Sequence, residues 1–144
     1  LSPAELDDLV RVPARRVGID ADEADVAAVR AIAGSLPFFV QATAAIWLGG
    51  KLEDRPIDAR AVTERLVSEM GPYFEQWWRN FSDVEHDALL AVAQEKPLER
   101  LPYGEAEIAA ALLRLRHYGI VVATGGRQWV DGALLRQWLR ENRG

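Results

Sequence analysis

The chain has no cysteine, one methionine and two histidines among its 144 residues. The missing cysteines exclude disulfides, thiol catalysis and cysteinyl metal sites together, and they agree with a reducing compartment, so cytoplasm is the expected location. No apolar run approaches the roughly 20 residues of a membrane span. The longest, residues 36–50, is interrupted by Gln41 and Thr43, and the N-terminus lacks a basic-then-apolar signal pattern. Positive charge is also in short supply. Seventeen Lys and Arg against 22 Asp and Glu leave a net charge of −5, which disfavours non-specific nucleic-acid binding, since phosphate neutralisation drives it.

The charge deficit is uneven. Residues 1–80 carry nine basic and thirteen acidic side chains, residues 81–144 eight and nine. Within 114–140, Arg114, Arg116, Arg127, Arg136 and Arg140 face only Asp131, so that stretch is locally basic.

Catalytic machinery is sparse. His86 and His117 lie in helical patterns without metal-ligand spacing. The four serines, Ser2, Ser35, Ser68 and Ser82, form no Gly-x-Ser-x-Gly elbow, and three of them read as helix caps. The acidic run Asp20–Asp25 lacks the spacing, glycine and closing glutamate of a calcium loop and reads as a capped helix start. Gly49-Gly50-Lys51 is followed by Leu52 rather than Ser or Thr and follows no strand, so it is not a phosphate-binding P-loop. The expectation is a chain with no catalytic residues, no metal and no cofactor of its own. Trp47, Trp129, Trp138 and one of Trp77 and Trp78 fit core packing.

What is present is a succession of helical signals within a length sufficient for one domain or two small ones. Ser2-Pro3-Ala4-Glu5 is a capping box with proline at the first helical position, and Pro13 predicts an end near Val12. Val26, Val29 and Ile32 predict a helix begun by Asp20 or Asp22 and ended by Gly34. Ser35 then reads as a cap, Pro37 as a first-turn residue and Phe38–Leu48 as a central helix buried on most sides, with Gly49-Gly50 opening a loop. Asp58 caps the next helix, which breaks at Gly71-Pro72 before Tyr73–Phe81. Ser82-Asp83-Val84-Glu85 is a second capping box. A proline-bounded connection, a helix over Glu105–Tyr118 ended by Gly119, a hairpin turning at Gly125-Gly126 and a last apolar helix follow. That order is the one of a winged helix, with the hairpin as wing. The predicted fold is mainly α: a helical module over 1–80, then a winged helix with one small β-hairpin over 81–144.

Four stretches carry a resemblance. LSPAELDDLVRVPARRVGI, AGSLPFFVQ, FSDVEHDALLAVA and RQWVDGALLRQWLRE resemble, in order, the exit from the ATPase domain, the Gly-x-x-Pro helix start, the first winged-helix helix, and the wing with its closing helix in STAND-class, AAA-like P-loop NTPases. The resemblance implies a helical lid plus winged helix, with an ATP-binding P-loop domain upstream of Leu1 as partner, ATP or ADP as the longer protein's cofactor, and signal transduction as the setting. It places Pro37 beside the adenine, with Gly34 allowing close approach, and makes Arg15 and Arg16 candidates for phosphate or interdomain contact. Where some relatives set a histidine against the diphosphate, this chain has Val130 within Trp129-Val130-Asp131.

Two other readings come from the same residues. A winged helix that reads DNA would use Arg114, Arg116 and His117 on its third helix and Arg127 at the wing tip, although Glu105, Glu107 and Ala109–Ala111 occupy the part that meets bases. The small Ala109–Ala111 patch is alternatively a protein-docking face, or three good helix formers.

Overall fold

The computed structural model describes residues 2–143. Eight α-helices, one 3₁₀ turn and two antiparallel strands are present among them, a mainly helical fold with one small hairpin. The chain forms two compact units: one runs through Ser68 and takes in Gly132–Leu134, and the other holds Glu69–Asp131 and the residues from Leu135 onward. The sequence reading divided the chain at 80.

The first unit is built around three helices, α1 (Pro3–Arg16), α2 (Glu23–Ala33) and α3 (Pro37–Leu52), with α3 packed on both others. Ser2 and Asp22 cap α1 and α2 in full capping boxes, with Glu5 and Asp25 reaching back. Pro13 does not end α1. It sits in the last turn, where its missing N–H costs a single hydrogen bond, and Leu6, Val10 and Ala14 form one fully buried row at four-residue spacing. The helix ends instead in a Schellman turn: Gly18, at φ 78°, donates to the Arg15 carbonyl, and Ile19 donates to that of Ala14.

Three features of α3 also differ from what the sequence predicts. Ser35 is not its cap, because Pro37 occupies the first helical position and leaves Leu36 as N-cap without a side-chain hydrogen bond. Gly49 and Gly50 lie inside the helix. A Cβ at Gly50 would stand 3.1 Å from Ile57 Cγ1, so the glycine admits the following loop against the helix. Nor is α3 buried on most sides: Phe39, Val40, Thr43, Ala44 and Leu48 are inside, whereas Phe38 is 48% exposed. Continuing the helix to Leu52 carries Lys51 to Asp25. The Lys51 ammonium donates to the Asp25 carboxylate and to the Asp20 carbonyl, while Trp47 Nε1 donates to Asp25 at 3.0 Å. Helix α4 (Ala59–Glu69) follows, with Asp58 accepting from the Arg60 amide and Val62, Thr63, Leu66 and Val67 buried. Ala61, beside them, is exposed.

The second unit holds α5 (Gly71–Trp78), α6 (Asp83–Ala93), a 3₁₀ turn at Leu98–Arg100, α7 (Glu105–His117), the strands β1 (Val121–Thr124) and β2 (Arg127–Val130), and most of α8 (Ala133–Asn142). Ser82 and Glu85 close the capping box on α6. Gly125 and Gly126, both at positive φ, make a two-residue hairpin turn with Thr124 opposite Arg127, the geometry whose twist matches that of the strands. Helix α6 packs on α7 and β2, and α7 on β1. Trp138, 1% exposed, stacks on Phe74 at 5.1 Å and meets Trp78 edge-on. The Trp78 ring lies parallel to that of His86 at 4.0 Å, and His86 Nε2 donates to the Trp78 carbonyl. The Tyr103 hydroxyl donates to Asp87 at 2.6 Å, and that hydrogen bond pushes the phenol up to about 12.

Helices α3, α6 and α7 end in the same turn as α1. Its left-handed residue is Gly119 after α7, but Asp54 after α3 and Glu95 after α6, both at φ 55°. A side chain in that conformation costs roughly 1 kcal/mol. Glu95→Gly is expected to raise unfolding stability by about 0.5–1 kcal/mol in urea titration. An unchanged or lower midpoint would contradict the strain.

Burial pushes the Asp25 carboxyl up, but hydrogen bonds from Lys51, Trp47 and the Asp22 backbone outweigh it and hold the group at about 2. A folded-state value below the ordinary 3.8 contributes stability that is present above that value and lost as pH falls through about 2. Wild-type unfolding stability therefore declines between pH 4 and 2 more steeply than that of Asp25→Asn, measured at constant ionic strength. Parallel profiles would remove the assignment.

Candidate functional site

The Gly-x-x-Pro element forms the link between α2 and α3. Ala33 closes α2 in the core, and Gly34 turns the chain at φ 72° while its amide donates to the Arg30 carbonyl at 2.8 Å. Pro37 is exposed at the first position of α3, a first turn with no acidic residue and no side-chain cap. Such an end carries outward-facing amides and partial positive charge.

Gly132, at φ 89°, belongs to this unit and approaches the element backbone to backbone. A Cβ there would lie 2.7 Å from the Gly34 nitrogen, 2.8 Å from the Ala33 carbonyl carbon and 2.9 Å from the Ile32 oxygen, closer than any side chain tolerates. Gly132 was not singled out by its sequence pattern; glycine after the Val130-Asp131 strand end reads as an ordinary turn residue. Only the packing discloses why no side chain stands there.

Arg15 and Arg16 lie in the last turn of α1, both exposed, where cations complement the helix dipole. Val130, set against the histidine of some STAND-class proteins in the sequence comparison above, is 1% exposed in β2, and its carbonyl accepts from Arg136 at 2.8 Å.

The arginines of the DNA-binding alternative are engaged within the second unit. Arg114 donates to the buried Glu85 carboxylate at 3.2 Å and lies over the Phe81 and Tyr118 rings. Arg116 donates to Gln128 at 2.9 Å, and the Arg127 guanidinium lies over the Trp129 ring. Arg114, held by the buried Glu85 carboxylate, is committed to its own fold, which weighs against its use on base edges, whereas Arg116 and Arg127 are exposed. His117 is exposed. The Ala109–Ala111 patch divides, because Ala111 is 4% exposed in the core whereas Ala109 and Ala110 face outward beside Leu113, 67% exposed. No cluster of His, Asp or Glu suited to a metal ion occurs among the described residues, and none of the described helices is long and apolar enough to cross a membrane.

Compared with protein-family models, curated proteins and solved structures, the chain matches none of them.

The Gly132 approach is open to direct measurement. Gly132→Ala should destabilise the fold by about 2–4 kcal/mol, since it combines a forced positive φ with a backbone clash. An unchanged urea midpoint would refute the contact.

Proposed function

We propose that this chain is a non-catalytic regulatory lid and winged-helix module of a STAND-type ATPase. In this reading it helps enclose nucleotide bound by an upstream P-loop domain and relays the nucleotide's state through domain movement. The observation that carries the reading is the meeting of Gly34 and Gly132. The Gly-x-x-Pro element that would face the adenine touches, with no side chain between, the residue two places beyond the end of the wing strand β2. A shift of Pro37 and the start of α3 against bound nucleotide would thereby be felt at the start of α8. The uncapped first turn of α3 supports a nucleotide-facing role for the same element, with Arg15 and Arg16 as further candidates for phosphate or interdomain contact. Val130, buried in β2, stands where some of those proteins set a histidine, which supports a module that senses nucleotide through its lid rather than through the winged helix.

Isothermal titration of the chain with ATP or ADP should give no binding heat, because most of the nucleotide's contacts belong to the P-loop domain. Micromolar affinity of the isolated chain would overturn the reading. In a polypeptide that includes the P-loop domain, Gly132→Ala should speed ADP release severalfold, and an unchanged release rate would equally count against it.

A further inference from the structure

Three hollows adjoin one another along the C-terminal half of α6. The first, about 360 Å³, opens between the end of α6 and β2, where Arg127, Arg136 and Glu95 surround Val92 and Trp129. The second, about 280 Å³, shares Ala93 and Arg136 with the first and adds Leu90, Leu139 and Arg140. The third, about 330 Å³, shares Leu90 and Gln94 with the second and carries Lys96 and Arg100 beside Pro97 and Leu101. All lie within the second unit.

The floor of this groove is apolar and its rim is cationic. Arg127, Arg136, Arg140, Lys96 and Arg100 are all exposed. Among the described residues none of these five cations is in an ion pair, whereas Arg114 pairs with Glu85 and Arg143 with Glu75. Two acidic residues line the groove, and one of them, Asp87, already accepts from Tyr103. Nor are the cations needed to close α6, because the Glu95 and Lys96 amides already satisfy the Val92 and Ala91 carbonyls. Arg136 is held by the Val130 carbonyl through Nη1 and keeps its other donors free, while Arg127 leans over the half-buried Trp129.

We propose that this groove docks an acidic amphipathic segment of a partner protein. Its large apolar side chains enter the hollows over Leu90, Ala93 and Leu139, and its carboxylates pair with Arg127, Arg136 and Arg140. Helices that lie in grooves in this way present anchors at i, i+3, i+4 and i+7. The hollows stand at the lower end of small-molecule sites in size and suit single side chains. Nucleic acid would use the rim but leave the aliphatic floor unmatched, since phosphate neutralisation needs cations alone. The proposal does not depend on an ATPase origin.

The test uses the whole chain and fluorescence anisotropy with a labelled synthetic peptide of about four helical turns, with Leu at the anchor spacing and Glu elsewhere. Poly-Glu of equal charge, the same peptide with Lys for Glu, and a short DNA duplex serve as competing probes. The Leu/Glu peptide should bind at least about tenfold more tightly than the other three. Combined Arg127→Glu, Arg136→Glu and Arg140→Glu should weaken it by about tenfold or more with circular dichroism unchanged. Ala93→Gln, which fills the floor without altering charge, should also weaken it. Amide chemical shifts should move at Leu90, Ala93 and Leu139. Equal binding of poly-Glu, DNA binding as tight as that of the peptide, no binding at all, or shifts confined to α7 would each overturn the proposal.

Discussion

The recurring constraint in this chain is how its helices stop. Helices α1, α3, α6 and α7 each hand the backbone through one left-handed residue, after which the next amide folds back onto the last turn. That motif satisfies carbonyls that would otherwise be orphaned and reverses the chain within two residues. It explains why short connections suffice between α1 and α2 and between α7 and β1. It also fixes where apolar residues re-enter the core: Ile19 and Ile120, the residues just beyond Gly18 and Gly119, are both buried. After α6 the same turn leaves Glu95 and Lys96 at the edge of the groove.

Two kinds of adhesion act between these stops. The first unit ties α2 to α3 with a charge-assisted node, in which Asp25 takes hydrogen bonds from both Trp47 and Lys51. Such a node is favourable only because each carboxylate oxygen is met, since an unpaired carboxylate at that depth would be strongly destabilising. The second unit relies on aromatic area, with Phe74, Trp138, Trp78 and His86 touching in that order and the Arg143 guanidinium over both indoles.

Local rules could be read directly from the sequence wherever the deciding residues are neighbours. The Ser2, Asp22 and Ser82 capping boxes, the Gly125-Gly126 turn and the glycine stops at Gly34 and Gly119 all need only a few consecutive positions. Pro13 and Gly49-Gly50 misled because their local cost, about 1 to 3 kcal/mol each, is outweighed by packing that a linear pattern does not display: the buried row ending at Ala14, and the seat of Ile57 against Gly50. Glu95 was invisible as a left-handed residue because its side chain does not favour that conformation, and Asp54, of a type that tolerates it, fell in a stretch that reads as an open loop. In the candidate sites, Gly34 and Pro37 could be read as a motif. Gly132 could not, because its role consists in what is missing from it. The basic stretch was visible as charge, yet which arginines are tied down and which line a groove is settled only in three dimensions.

The Asp25 node has an optical consequence. Trp47 is the sole tryptophan of the first unit, and all three tyrosines and the other four tryptophans belong to the second. Its indole N–H is bound to the carboxylate that joins α2 to α3. The first unit thus carries a single indole, and that indole answers to one tertiary contact, the one that joins α2 to α3.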